Sequence, residues 1–467
     1  MHSSAGHAVA ATKCMHTIHL CNIPFVPNLY AQGLCGHTRR PSLTLAACGG
    51  SSDGGSEAAP FDGKVTGSIT AHVQGYDWGC GVDKITLVLD QALDAIDVDS
   101  LTVTEHKQTT DWTAEDFPVI EADFPRTITA AAVDGTNVTL DLACDPNNGS
   151  PFLYTMATGY NTWCDPYDLN IAIAEGAELT VGGEAVTALE ISAKPSEMVL
   201  QCFEQGWNTD SMETKAGTTY QYAYRNTEEE SKNLVVWLHG AGEGGTEATD
   251  PTVTILANRV VALSEDDFQG TVGGAHVVAP QSPTMWMDQD GNKTYIAEDA
   301  TEISSIYTES LEEFIDTYAE KVGAEKIFVC GCSNGGFMTL WMGIHRPDKY
   351  VGIAPICEAI PDGAISDEQI EGIKDLPMYF VWSDDDTTVD PTTHEIPTVD
   401  RLKKAGASNL HVSTTEHVVD TSGEYTDEEG NPYMYAGHWS WIYFDNNDCE
   451  CDDDGMKAFD FVAECFK

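Results

Sequence analysis

Basic residues are scarce in this sequence. Lys and Arg number 23 against 75 Asp and Glu, a formal net charge of −52 over 467 residues. Affinity for phosphate backbones and anionic lipid comes from clustered Lys and Arg, so no nucleic-acid partner is expected. The acid is spread along the whole chain and reads as a solvating surface. Long apolar runs are also missing, since nothing approaches the roughly 18 to 20 residues of a spanning helix. There is no pair of C-x-x-C motifs to make a zinc site. No repeat of about 40 to 45 residues marks a propeller. Glycine and proline, 41 and 20, are too few for a collagen-like or low-complexity chain.

What is present is a globular composition on a chain too long for one ordinary domain of roughly 100 to 200 residues. It also holds 14 cysteines. Four lie before residue 49, and ten remain beyond: Cys80, Cys144, Cys164, Cys202, Cys330, Cys332, Cys357, Cys449, Cys451 and Cys465. An even number without metal spacing points to disulfides in an oxidising compartment.

Residues 42–48 read SLTLAAC, after Arg39 and Arg40 and before GGSSDGGSEAAP. This resembles a bacterial lipoprotein signal with its lipobox and tether. The resemblance implies an export leader over 1–48, lipidation of Cys48, a Gly/Ser-rich tether over 49–60, and a cell-surface or extracellular location. The apolar run is short and interrupted by Pro41, a departure from that pattern.

Two folded units are expected after the tether. Over 61–194, short period-two runs recur with turn residues between them: KITLVLD, SLTVTEH, TITAAAVDG, NVTLDLAC and LNIAIAEG. They predict a small all-β sandwich. Tyr154, Tyr160 and Trp163 are read as core aromatics in preference to a sugar-stacking surface. Over 195–467, strand-like runs alternate with amphipathic helical ones, which predicts an α/β unit with a mostly parallel sheet covered on both faces. Its active site should lie at the carboxyl ends of the strands.

The chemistry concentrates in that second unit. Gly331-Cys332-Ser333-Asn334-Gly335 is a G-x-S-x-G between the strand at 326–330 and a helix beginning near Gly335. A strand, a sharp turn and a helix is the context of a nucleophile elbow, which makes Ser333 the candidate nucleophile. Serine needs a base to take its proton and a carboxylate to orient that base, in the chain order Ser, acid, His. The strand PMYFVW runs into Ser383-Asp384-Asp385-Asp386, and Asp386 is the candidate acid by register with the acid loop of such hydrolases. His438 in Gly437-His438-Trp439-Ser440-Trp441 is the candidate base, with His417 as the alternative. His345 is read as a surface or capping residue, and Cys332 as a buried neighbour of the nucleophile. The oxyanion requires two backbone N–H donors. Asn334 is one, and Ala241, or Gly242, in His239-Gly240-Ala241-Gly242-Glu243-Gly244-Gly245 is the other. Trp286 and Trp439 are the candidate substrate-binding residues.

Taken together, HGAGEGG, APQSP with Trp286, GCSNGG, the Asp386 loop and GHWSW resemble EstA-like and polyhydroxybutyrate-depolymerase-like esterases of the α/β-hydrolase superfamily, with prolyl-oligopeptidase-type hydrolases as broader kin. The stretch from Gly149 to Ile171 resembles the N-terminal immunoglobulin-like domain of EstA-type enzymes. These resemblances imply an exported serine esterase acting on small or polymeric esters. A serine peptidase and a noncatalytic glycan-binding or adhesion lipoprotein are the competing readings. No cofactor and no metal are expected. The acidic tract from Asp445 to Asp454 is read as a solvated loop, with Cys449 or Cys451 clipped to Cys465.

Overall fold

The computed structural model describes residues 60–227, 230–246 and 249–467. The export leader, Cys48 and nearly all of the tether therefore lie outside the described residues. Among the described residues no helix is long and apolar enough to cross a membrane.

The amino-terminal part is strand-rich. Its longest strands, Lys64–Tyr76 and Gly79–Leu89, pair antiparallel, and Asn137–Leu142 and Ile128–Asp134 extend that sheet. Leu101–Thr110 lies between Val119–Arg126 and Tyr167–Ile173 in a second sheet. Alternation drives the pairing: Val65, Ile69, Ala71 and Val73 are buried on one face of the first strand.

The carboxyl-terminal part is built on one eight-stranded sheet. Its strands are β1 (Asn208–Glu213), β2 (Thr219–Arg225), β3 (Asn233–Leu238), β4 (His276–Gln281), β5 (Lys326–Cys332), β6 (Gly352–Ile356), β7 (Met378–Ser383) and β8 (Leu410–Thr415), in spatial order β1-β2-β4-β3-β5-β6-β7-β8. The strands from β4 to β8 run parallel, while β1 and β2 form an antiparallel flank. The sheet is thus mixed, and its parallel part is buried on both faces. Along β3, Val235 and Trp237 join one core cluster, and Leu234, Val236 and Leu238 join the other.

Among the described residues, six helices of seven or more residues cover these faces: α1 (Asp266–Val272), α2 (Thr308–Val322), α3 (Asn334–His345), α4 (Asp367–Ile373), α5 (Glu395–Ala405) and α6 (Ala458–Cys465). Helix α2 buries Leu311, Phe314, Ile315, Tyr318 and Ala319, a stripe at the 3.6-residue period, and stops at Gly323 in the left-handed region. Helices α2 to α5 contribute to one cluster. Helices α1 and α6 share the other with the core of the strand-rich part. The two parts are also joined by polar contacts. Arg259 and Asn446 both donate to the Asp77 carboxylate, at 2.6 and 2.9 Å, and the Trp163 indole donates to Asp250 at 2.5 Å.

The expected disulfides are not formed. All ten described cysteines are free thiols, eight of them buried. Strand register explains the nucleophile-side group: Cys330 stands between Trp237 and Ala354, and Cys332 is opposite Ile356. The clip to Cys465 is absent because that side chain packs toward Gly352, whereas Cys451 lies beside His411. These cysteines act as small apolar packing residues.

Candidate active site

The carboxyl edge of the sheet gathers the residues singled out above. Strand β5 ends in Cys332, and α3 starts at Asn334, leaving Ser333 alone in the turn with φ 56° and ψ −117°. A non-glycine residue at positive φ costs roughly 1 to 3 kcal/mol and is held only by its surroundings. Here the Ser333 amide donates to Ile356 and its carbonyl accepts from Phe337, at 2.9 and 2.8 Å. Helix α3 passes so close to β3 that a Cβ on Gly335 would lie 1.8 Å from the Leu238 carbonyl oxygen. Only glycine fits there, which is why the elbow motif carries it.

Asp386 follows β7. Its Oδ1 accepts from the Thr388 and Val389 amides at 2.8 and 2.9 Å, and its Oδ2 accepts from His438 Nδ1 at 2.7 Å. The carboxylate side chain is fully buried and the imidazole is 11% exposed. With Nδ1–H committed to Asp386, the ring presents Nε2 as an acceptor. Gly437 brings the two loops together, since a Cβ there would stand 2.1 Å from Asp385 Oδ1. The neighbouring Asp385 holds His417 at 2.8 Å, and that histidine is exposed, its pKa raised by the carboxylate. Adjacent aspartates thus hold the two candidate histidines. Only His438 opens, together with Ser333, into a pocket of about 580 Å³.

Ala241, Gly242 and Asn334 line the same pocket. Ala241 opens a 3₁₀ turn after β3, and Asn334 opens α3. First-turn amides have no partner within their own helix, so both can face a ligand. The loop is propped by His239, whose Nδ1 donates to the Gly240 carbonyl at 2.6 Å and whose Nε2 accepts from Ser282 at 2.9 Å. Burial drives the His239 pKa down to about 4, which fixes it as a neutral strut. His345 sits at the end of α3, half exposed, and takes no part.

Trp439 lines the pocket; Trp286 does not. The Trp286 ring is fully buried against Tyr220, His239 and Tyr307, and its amide donates to Asn334 Oδ1 at 2.5 Å. The backbone turn at Trp286 points its own side chain into the core and its neighbours Met285 and Met287 toward the pocket. Trp286 therefore supports Asn334 from behind.

The sequence reading missed the other wall. Tyr154, Met156, Tyr160 and Asn161 of the strand-rich part line the pocket beside Ser333 and His438. Tyr154 and Tyr160 were expected in a sandwich core; Tyr154 ends the first of two short strands, 152–154 and 161–163, and Tyr160 closes the loop between them, which puts both at the interface instead. Lys293 stands 3.9 Å over the Tyr160 ring. Asn161 Nδ2 donates to Glu243 Oε1 at 2.7 Å, and both side chains are buried. Burial pushes the Glu243 carboxyl up to about 7, against the pull of the Asn161 hydrogen bond. Glu243 was visible as the lone acid in a glycine-rich loop. Asn161 carried no signal. Glu358 and Glu395 are both wholly buried and both raised by burial, and the charge of Glu358 raises Glu395 further.

Residues 222–422 match the phospholipase/carboxylesterase family. The chain is a carboxylesterase-type hydrolase. A probable carboxylesterase, SOBER1-like, of Arabidopsis thaliana is 25% identical over 187 residues, 38% of this chain and 68% of that protein. Among solved structures, a thermostable esterase shares the fold over 82% of this hydrolase and 96% of its own chain, with a TM-score of 0.62 at 20% identity. A ferulic acid esterase covers 56% of this chain and 98% of its own, with a TM-score of 0.38 at 14% identity. The shared fold is the α/β-hydrolase fold expected from the sequence.

Proposed function

We propose that the chain is an exported serine esterase working through Ser333, His438 and Asp386. The carrying observation is that the strained Ser333 turn and His438, held from behind by the buried Asp386, open into one pocket. In the proposed cycle, His438 Nε2 takes the Ser333 hydroxyl proton as Oγ attacks the acyl carbonyl. The Asp386 carboxylate stabilises the imidazolium that results. The amides of Ala241 and Asn334 receive the developing oxyanion. The tetrahedral intermediate collapses as His438 returns the proton to the leaving alkoxide, which departs as an alcohol. Water then attacks the acyl-enzyme with the same histidine as base, releasing the acid and restoring Ser333.

Esters are preferred over peptides because the pocket is walled beside Ser333 by Met285, Met287, Tyr154 and Trp439. An ester expels its alkoxide more readily than an amide expels an amine. The strand-rich part is read as an immunoglobulin-like accessory module, and Cys48 as the lipid attachment site. Oligomeric state has no bearing on this reading.

The test is labelling by a fluorophosphonate probe together with hydrolysis of acetyl, butyryl and feruloyl aryl esters. Labelling that persists in Ser333→Ala removes Ser333 from the mechanism. Higher kcat/KM on Pro- or Ala-linked anilides than on every ester tried replaces the esterase by a peptidase. For the anchor, a Cys48→Ala chain expressed in a bacterium should leave the detergent phase and enter the aqueous one.

A further inference from the structure

The amino-terminal end of β8 carries a cluster that ester hydrolysis does not use. His411 Nδ1, Cys451 Sγ and an Asp454 carboxylate oxygen all lie within 4.8 Å of one another. They come from two segments, the edge strand and the turn that follows Cys449. Cys451 is 4% exposed, and its side chain reaches the Asp454 carboxyl.

The hydrogen bonding around this cluster leaves lone pairs of His411 Nδ1 and Asp454 Oδ2 facing each other. His411 Nε2 is 3.1 Å from the Asn409 side-chain oxygen, which can only accept, so Nε2 carries the proton and Nδ1 a bare lone pair. Nδ1 is buried and has no hydrogen-bond partner. Asp454 Oδ2, itself an acceptor, lies 3.4 Å from it. The other carboxylate oxygen is occupied by the Met456 amide at 3.0 Å, which aims Oδ2 inward. The imidazole is held by stacking on Tyr379, with centroids 6.0 Å apart, and by Phe461. A cation between Nδ1 and Oδ2 would turn this repulsion into attraction. For a tetrahedral ion bound at about 2.0 to 2.2 Å, two ligand atoms stand about 3.4 Å apart, the separation found here.

We propose that His411, Cys451 and Asp454 bind one borderline transition-metal dication of the zinc class, with water completing a tetrahedron. One nitrogen, one sulfur and one oxygen donor select such an ion over calcium or magnesium, which take oxygen alone. The Asn409 contact is the outer partner that fixes the tautomer of a ligating imidazole. The site lies at the end of the sheet opposite the pocket, so the ion's role is structural. It fastens the turn at 451–455 to the exposed edge of β8, where the Asp452 amide already donates to the Val412 carbonyl at 2.8 Å and the Asp452 carboxylate accepts from the Thr414 hydroxyl at 2.9 Å. An edge strand with a bound cover is protected from pairing with another chain.

Cobalt binding to the untagged full chain, stripped with a chelator, tests the proposal. The expected result is one equivalent of Co²⁺ with thiolate-to-cobalt charge-transfer absorption, displaced by Zn²⁺ and not by excess Ca²⁺, and a melting temperature raised by Zn²⁺. The absorption should vanish in Cys451→Ser. The exposed Asp454→Asn variant, chosen because it leaves the core intact, should bind about a hundredfold more weakly. Absence of the charge-transfer band in the wild type overturns the site. So does displacement of cobalt by calcium, or an affinity unchanged in both variants.

Discussion

Asn161 and Glu243 meet across the two parts of the chain: the carboxamide of one donates 2.7 Å to the carboxyl of the other, directly beside the turn that carries Ala241. The Gln281 side chain holds the same turn from the opposite side by donating to the Glu243 carbonyl at 2.8 Å. A loop expected to supply an oxyanion donor is therefore fixed in part by a residue outside the catalytic sheet. Removing one partner of a buried hydrogen bond costs about 1 to 3 kcal/mol. Asn161→Ala should lower kcat on a short aryl ester by about tenfold with a smaller change in KM. Asn161→Asp should do worse, by setting a second carboxyl against Glu243. Kinetics on the two variants, with circular dichroism to verify folding, check this, and wild-type kcat in Asn161→Ala would remove the loop-positioning role.

Glu243 also predicts a pH dependence of stability. Its folded pKa of about 7 exceeds the ordinary 4.5, so between these values the native state holds a proton that the unfolded chain has lost. Stability from this group is complete below about 4.5 and gone once the pH passes about 7, a loss of roughly 3 kcal/mol at most. The raised Glu358 and Glu395 carboxyls act in the same direction and extend the decline upward. Denaturant midpoints should fall from pH 5 to pH 8, and should fall less in Glu243→Gln, whose amide is neutral throughout. Identical pH profiles for the two proteins would contradict the assignment.

At Ser333 the backbone itself is informative. Its φ of 56° is strained for serine and free for glycine. Ser333→Gly should abolish ester turnover and raise stability by about 1 kcal/mol. Thermal melts of the glycine and alanine variants separate the two effects: alanine keeps the strain and should gain nothing. Equal stability of all three proteins would show that the turn is unstrained.

Gly437→Ala tests the approach of the two loops. A methyl group there would meet Asp385 Oδ1 at 2.1 Å and the Asp385 carbonyl at 2.7 Å, so the His438 loop must move. A displacement of about 1 Å at a catalytic group costs about a hundredfold in rate. We expect kcat to fall by that order while Asp385→Gly in the same chain restores part of it. Wild-type kcat in Gly437→Ala would mean that the loops are free to separate.

The sequence was readable where burial imposes a period. The five inner parallel strands of the sheet announce themselves as mainly apolar runs because both faces are covered, and β5 followed by α3 marked the elbow. The antiparallel flank gave no such sign: NTDSME in β1 is almost wholly exposed, so its composition follows solvent. In the strand-rich part five runs were visible, but Lys64–Tyr76, the longest strand, was hidden by the glycines at 67 and 75. Ser333 was picked out by its place between strand and helix, and Asp386 and His438 by chain order together with their resemblance to the acid and histidine loops of esterases. Asn161, Glu358 and Glu395 were not, because their significance lies in what stands opposite them in space. The disulfide expectation failed for a related reason: cysteine count suggests an environment, while pairing depends on register.

The pocket wall at Tyr154, Met156 and Tyr160 separates two kinds of inheritance within one gene. The groups proposed to break a bond are written into the carboxyl-terminal sheet, where the acid loop and the histidine loop are in direct contact at Asp386 and His438 and at Asp385 and Gly437. The surface that meets the substrate's far side is written into a short hairpin of the other unit, whose tip at residues 155–159 can change length or side chain without disturbing any of them. Selectivity can therefore drift, or be bred, in a library confined to the tip at residues 155–159, with Asn161 and the loop it holds left untouched.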